Sequence, residues 1–221
     1  EIPVPEPFYY LELPRRAGCL DAMKGEEHTP LSVSAVQREQ AAEVLRKAGA
    51  RPQALRVAIG AGASYGSAKC WPPARFAALA GALQAQFDCD VILFGTASEA
   101  SVSQAIIAEM KRPPIDLTGQ TAIADLPALL AQCHLFIGND SGAMHVAAAV
   151  GLPVVGVFGP TDPQGTAPVT PRCTVVQEKP HCSPCFLRRC PIDHRCMTRI
   201  APEAVAAAAR TWLEARNASH A

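Results

Sequence analysis

A chain of 221 residues can build one large domain or one and a half, and its 20 basic and 20 acidic residues leave no net charge to draw it onto nucleic acid. Hydrophobic residues make up 49% but aromatics only 5%, an Ala-, Val-, Leu- and Ile-built composition that suits helices packed on a parallel sheet. No apolar run reaches the roughly 18–20 residues of a membrane helix, which leaves at most peripheral membrane contact.

The first residues, Glu1-Ile2-Pro3-Val4-Pro5, carry no start Met, basic leader or apolar leader, and read as a trimmed or partial chain without a signal peptide. Residues 1–32 are irregular and Pro-bearing, with one apolar-aromatic patch, Phe8-Tyr9-Tyr10-Leu11, as a short helix candidate. Residues 33–48 show helical spacing (Val36, Ala41, Val44, Leu45) behind Ser34 as N-cap. From residue 55 the pattern becomes regular. Strands are expected at 55–59, 91–94, 115–117, 135–137, 154–158 and 174–176, and helices at 73–87, 98–111, 124–132, 143–150 and 202–215. Pro72-Pro73 suits a helix start, where a missing N–H costs nothing. Strand–helix alternation with short polar turns implies an α/β fold with a doubly wound parallel sheet. Ligands of such sheets bind in the loops at the carboxyl ends of the strands, here 61–72, 95–99, 118–123, 138–145 and 159–167.

Four segments could carry chemistry. The loop Ala61-Gly62-Ala63-Ser64-Tyr65-Gly66-Ser67-Ala68-Lys69 allows close backbone approach, and Lys69 offers a point charge to a phosphate; an ordinary Gly-rich loop with a solvated Lys is the alternative. It is neither a G-x-G-x-x-G nor a Walker A sequence. Asn139-Asp140-Ser141-Gly142-Ala143-Met144-His145 reads as a strand end turning into a helix. Its free N–H groups make a natural anion site, with Asp140 or Ser141 as cap and His145 either structural or a donor. Gly159-Pro160-Thr161-Asp162-Pro163 is a rigid turn or a loop closing over a sugar or phosphate.

Cys182-x2-Cys185-x4-Cys190-x5-Cys196 reads as a structural staple: a tetrahedral zinc site, disulfides or packed free thiols. Arg188, Arg189, Arg195 and Arg199 interleave with it, as an anionic-substrate patch or a solvated basic loop. The other five cysteines (Cys19, Cys70, Cys89, Cys133, Cys173) read as buried small hydrophobes in a reducing cytoplasm. Asn217-Ala218-Ser219 matches a glycosylation acceptor pattern, which in a cytoplasmic protein is chance.

Together these segments resemble the ADP-heptose:lipopolysaccharide heptosyltransferases, glycosyltransferase family 9. The Lys loop, with Lys69-Cys70-Trp71-Pro72, is similar to the family's Pro-Gly-Ala…Lys-Arg-Trp-Pro; Ala61 and Cys70 stand where the family has Pro and Arg. Asn139-Asp140-Ser141-Gly142 with His145, Gly151-x-Pro153 and Phe158-Gly159-Pro160-Thr161 resembles the donor-site signature, and the cysteine segment with Met197 resembles the tail loop of the second heptosyltransferases, heptosyltransferase II.

The resemblance implies the Rossmann-like C-terminal domain of a two-domain GT-B transferase. Residues 1–50 would be an interdomain segment with helices. Residues 51–221 would be the donor domain, with the Cys-rich loop 182–196 and a last helix returning towards the absent N-terminal domain. It implies inverting transfer of heptose from ADP-heptose to the lipopolysaccharide inner core, with no cofactor required and a general base absent from this chain. The chain alone would then bind donor without turnover. On this resemblance Lys69 stabilises the leaving diphosphate, and Ser141 and Gly142 hold the same phosphates. Asp140 fixes the turn or meets heptose hydroxyls, and Glu99 binds ribose. Ser64 and Tyr65 line the first loop, Thr121 lies at the adenine, and His145 stands near the phosphates. It also implies a cytoplasmic protein at the inner face of the inner membrane. Another GT-B nucleotide-sugar transferase and a non-catalytic, metal-stapled nucleotide-binding module are the alternatives.

Overall fold

In the computed structural model, which describes residues 12, 14–19 and 30–218, the strand–helix alternation closes into one six-stranded sheet. The 8–11 patch and Ser219 lie outside the described residues. The strands are β1 (Arg56–Gly60), β2 (Asp90–Phe94), β3 (Ile115–Asp116), β4 (Leu135–Asn139), β5 (Val154–Phe158) and β6 (Cys173–Gln177). Their order is β3-β2-β1-β4-β5-β6 and every neighbouring pair is parallel. Strands β2, β4 and β5 are buried along their whole length, whereas the edge strands β3 and β6 are only half-buried. Burial on both faces explains why the central strands read as continuous apolar runs.

From residue 30 on, the α-helices are α1 (Ala35–Lys47), α2 (Pro73–Phe87), α3 (Ala100–Glu109), α4 (Leu126–Leu130), α5 (Gly142–Ala149), α6 (Pro163–Thr166), α7 (Arg195–Thr198) and α8 (Pro202–Ala218). Because successive strand side chains alternate, they feed two cores. Val57, Ile59, Leu135, Ile137, Val155 and Val157 meet Phe76, Leu79 and Leu83 of α2 and Val205 and Leu213 of α8. Ala58, Ile92, Phe136 and Phe158 meet Ala41 and Leu45 of α1, Leu129 of α4 and Met144 and Ala147 of α5. Ser34 caps α1 as expected, in a reciprocal box with Gln37.

Two differences from the sequence reading have physical causes. The helix expected at 98–111 begins as a 3-10 turn, Ala97–Glu99, because Thr96 and Glu99 form their own capping box ahead of α3. Helices α6 and α7 were not expected, since four residues carry no readable periodicity. The last helix packs on this domain through Val205, Ala209 and Leu213. It runs back along its own sheet, from the Ile200 carbonyl, which accepts from Trp71 Nε1 at 3.1 Å, to Trp212, whose Nε1 donates to Thr174 Oγ1 at 3.0 Å. Val205, Ala209 and Leu213 are fully buried there, and they form the apolar stripe by which α8 packs on this sheet.

The chain leaves β1 for β2 and β3 on one side, then returns to β4 on the other side of β1. The loops after β1 and β4 therefore diverge, and the crevice between them is where a doubly wound sheet binds ligand. No helix among the described residues is long and apolar enough to cross a membrane.

Candidate functional site

Asn139, the last residue of β4, is fully buried. Its Nδ2 donates to the Ala61 carbonyl at 2.6 Å and its Oδ1 accepts from the Trp71 N–H at 3.0 Å. One buried amide thus sets both ends of the Lys loop, and all its pairing is internal, as burial of a polar group requires. Lys69 ends a 3-10 turn, Ser67–Lys69, and its Nζ donates to Asp140 Oδ2 at 2.6 Å. Thr161 Oγ1 donates to the same oxygen at 2.7 Å, and Thr166 Oγ1 at 3.4 Å. The side chains of Lys69 and Asp140 are 12% and 6% exposed.

This arrangement corrects the expectation that Asp140 or Ser141 caps α5 through its side chain. Ser141 does occupy the N-cap position, in extended backbone, but makes no side-chain cap bond. The Asp140 carboxylate is turned to Lys69 and Thr161, because a buried charge gains more from a cation and hydroxyl donors than from a single amide. The first-turn N–H groups of α5 are consequently left without a side-chain cap at the crevice.

Two adjoining hollows open over these loops. One, of about 530 Å³, is lined by Ser64, Tyr65, Lys69, Asp140, Ser141, Gly142 and His145, with 165–169 on its far side. The other, of about 280 Å³, shares Ser64, Ser141 and Gly142 and adds Glu99 and Thr121. All nine residues singled out in the sequence are brought to one crevice. Glu99 follows β2, the position from which doubly wound folds present an acid to a ribose. One of its oxygens accepts from the Thr96 N–H at 2.7 Å. A Cβ on Gly62 would fall 1.9 Å from the other oxygen, so glycine there lets this carboxylate lie where it does against the Lys loop.

The cysteine segment lies across the same edge. The Cys185 and Phe186 N–H groups donate to the Pro160 carbonyl at 3.0 and 2.8 Å, and Ser183 Oγ donates to the Gly159 carbonyl at 2.6 Å. Tyr65 Oη donates to the Phe186 carbonyl at 2.9 Å, and the Ala68 N–H to the Arg188 carbonyl at 3.1 Å. His194 Nε2 and the Ala68 carbonyl stand 2.6 Å apart. The segment is a staple, as expected, but its bonds are to backbone of the Lys and Gly159 loops. All nine cysteines are free thiols. Burial pushes the Cys196 thiol up to about 11, with Cys185, Cys182 and Cys190 adding to the effect. Yet no three His, Cys, Asp or Glu side chains among the described residues form a group able to hold a metal ion. The zinc reading of Cys182, Cys185, Cys190 and Cys196 therefore finds no assembled ligand set. Of the five scattered cysteines, Cys89 and Cys133 are buried, Cys70 and Cys173 half-buried, and Cys19 exposed, against the expectation that all are core residues.

Sequence reasoning missed Asn139 as the loop's anchor and Thr166 as a partner of Asp140. Only the position of Asn139, directly before Asp140 in the turn motif, pointed to it; nothing marked Thr166.

The sequence matches the profile of glycosyltransferase family 9 (heptosyltransferase) over residues 10–195. It is 37% identical over 150 residues to lipooligosaccharide heptosyltransferase 2 of Haemophilus influenzae, an alignment covering 64% of this chain and 43% of that protein. Its fold is similar to that of E. coli ADP-heptose lps heptosyltransferase II, with a TM-score of 0.72 and 26% identity, over 85% of this chain and 54% of that one. It is also similar to a family 9 glycosyltransferase structure from Veillonella parvula, with a TM-score of 0.81 and 24% identity, over 96% and 61% of the two chains. The chain thus spans less than half the length of the Haemophilus relative. With a profile match over most of its length, the chain belongs to glycosyltransferase family 9, the heptosyltransferases.

Proposed function

We propose that this chain is the donor-binding half of an inverting GT-B glycosyltransferase that moves heptose from ADP-heptose to the lipopolysaccharide inner core. The observation that carries the reading is the convergence of Lys69, the uncapped start of α5 and Glu99 on one crevice at the sheet's switch point. The names of the relatives, all heptosyltransferases, support the sugar.

On this reading the diphosphate lies against the Ser141 and Gly142 N–H groups, where the helix dipole favours negative charge. Lys69 leaves Asp140 to meet the phosphates and offsets the charge that develops on departing ADP, as preorganised electrostatic stabilisation. Asp140, still held by Thr161, meets the heptose hydroxyls, and His145 stands beside the phosphates. Glu99 takes the ribose, Thr121 flanks the adenine, and Ser64 and Tyr65 close the loop side. The transfer needs no cofactor. The base that deprotonates the acceptor belongs to an N-terminal domain outside this chain, which also holds the acceptor. Residues 1–50 lead from that domain into the donor domain, 51–221, with α1 already seated on it. The enzyme works in the cytoplasm at the inner face of the inner membrane.

Titration of ADP and ADP-heptose onto the 221-residue chain tests the reading. Saturable binding is expected, weakened about tenfold by Lys69→Ala, the worth of one charge-assisted bond. No saturable binding, or an affinity indifferent to Lys69, would sink it; preference for a UDP-sugar would reassign the donor.

A further inference from the structure

The charge at the crevice is too small for a diphosphate. Among the described residues Lys69 is the only Lys or Arg lining the two hollows, and its charge is cancelled by Asp140 at 2.6 Å, while Glu99 adds a negative charge. A second cation stands one residue contact away. The Arg188 guanidinium carbon lies 5.1 Å from the centroid of the Tyr65 ring, the same ring that Lys69 Nζ approaches at 4.9 Å. Tyr65 and Lys69 line the larger hollow, and Arg188 stands just behind them, in contact with the Tyr65 ring.

The backbone holds Arg188 in this place. The Ala68 N–H donates to its carbonyl, and a Cβ on Gly66 would fall 2.3 Å from that oxygen, so the Lys loop and the Arg188 backbone touch directly. Among the described residues the Arg188 side chain has no hydrogen bond or ion pair, whereas Arg195 in the same segment is bound to Asp193 at 2.8 Å. A guanidinium resting on an aromatic face is desolvated on one side and keeps its fork of donors free.

We propose that Arg188 is the second cation of the donor site, a binding residue that closes on the diphosphate of the nucleotide-sugar when Lys69 leaves Asp140. The inference rests on the donor reading above and adds a residue that lies in the cysteine segment. Phosphate oxygens accept bidentate bonds from Arg, and a partner already paired with a ring is preorganised for the exchange.

The test is competitive binding of ADP and of adenosine to wild type, Arg188→Ala and Arg188→Lys, with a thermal melt of each. Arg188→Ala is expected to weaken ADP about tenfold and adenosine less than about twofold. Arg188→Lys, which keeps the charge but not the fork, should recover only part of the ADP affinity, and the melts should coincide because the side chain is exposed. An ADP affinity within about twofold of wild type in Arg188→Ala, or an equal loss for adenosine, overturns the proposal. If Lys69→Ala still weakens ADP in that case, the donor reading stands without Arg188. If wild type binds no ADP, the donor reading falls and takes Arg188 with it.

Discussion

Opposite edges of the sheet each carry an ion-pair cluster, and the two are built differently. At the amino edge, where β2 begins, Arg51 bonds Asp90 at 2.8 Å and Asp88 at 2.7 Å, while Arg112 bonds Asp88 at 2.7 Å and reaches Asp90 at 3.6 Å. The Arg51 N–H also donates to Asp90 at 2.7 Å. Two cations and two anions satisfy one another there, with the Asp88 side chain 74% exposed. At the carboxyl edge Lys69 and Asp140 form a lone pair, nearly buried, beside an open crevice. A closed network has no valence left for a ligand and serves to tie the chain. A single buried pair next to free volume can exchange one partner for a ligand of like charge. The contrast distinguishes a satisfied network from a pair with room to exchange, without appeal to residue type.

The strongest way to break this contrast is Lys69→Ala. It strands a buried carboxylate, so folding stability measured by urea denaturation should fall by about 2–3 kcal/mol, less than for a fully buried pair because Thr161 keeps its bond. A loss below about 0.5 kcal/mol would mean that the pair is surface-like. Asp140→Asn sharpens the contrast from the other side. It frees Lys69 from its resting partner, so ADP should bind up to about tenfold tighter while stability drops by about 1–2 kcal/mol. Weaker ADP binding would show that Asp140 orients Lys69 and does not compete for it. At the amino edge Arg51→Ala should lower stability less than Lys69→Ala does, since Arg51 itself is exposed and screened, and leave ADP affinity within about twofold. A change in ADP binding would show that the edges are coupled.

The smallest effect is in acid. Asp88 titrates below its ordinary 3.8 because of its bonds to Arg51 and then Arg112. Glu43 on α1 is lowered from 4.5 to about 2 by its bond to Arg46. A lowered folded-state pKa stabilises the fold above the unfolded pKa, and that stability is lost as pH falls through the folded one. Melting temperature should therefore decline gently from about pH 4.5 towards pH 2, and Arg51→Ala should flatten the slope. An unchanged slope in that variant would remove the network from the account.

Much of this architecture was legible because burial writes itself into periodicity. β5 occupies the expected 154–158, and α2 starts at Pro73 where the paired prolines allowed it. The two-residue β3 was expected to run one residue longer, because an edge strand's apolar run continues past its ladder. At the crevice, the lining residues were legible but their partners were not. Asp140 looks like a cap locally; its cation is 71 positions away in sequence. The cysteine segment advertised metal or disulfide chemistry through its spacing, whereas its attachments run through carbonyls, which every residue has.

The contact of Gly66 with the Arg188 carbonyl has a further consequence for exchanging parts between relatives. The two segments are separated by about half the chain, yet they share an interface with no room for a methyl group. A chimera that imports the cysteine segment from another family member inherits only half of a matched surface. Such grafts should succeed when the Lys loop travels with the segment, and the natural unit of substitution here is therefore discontinuous in sequence.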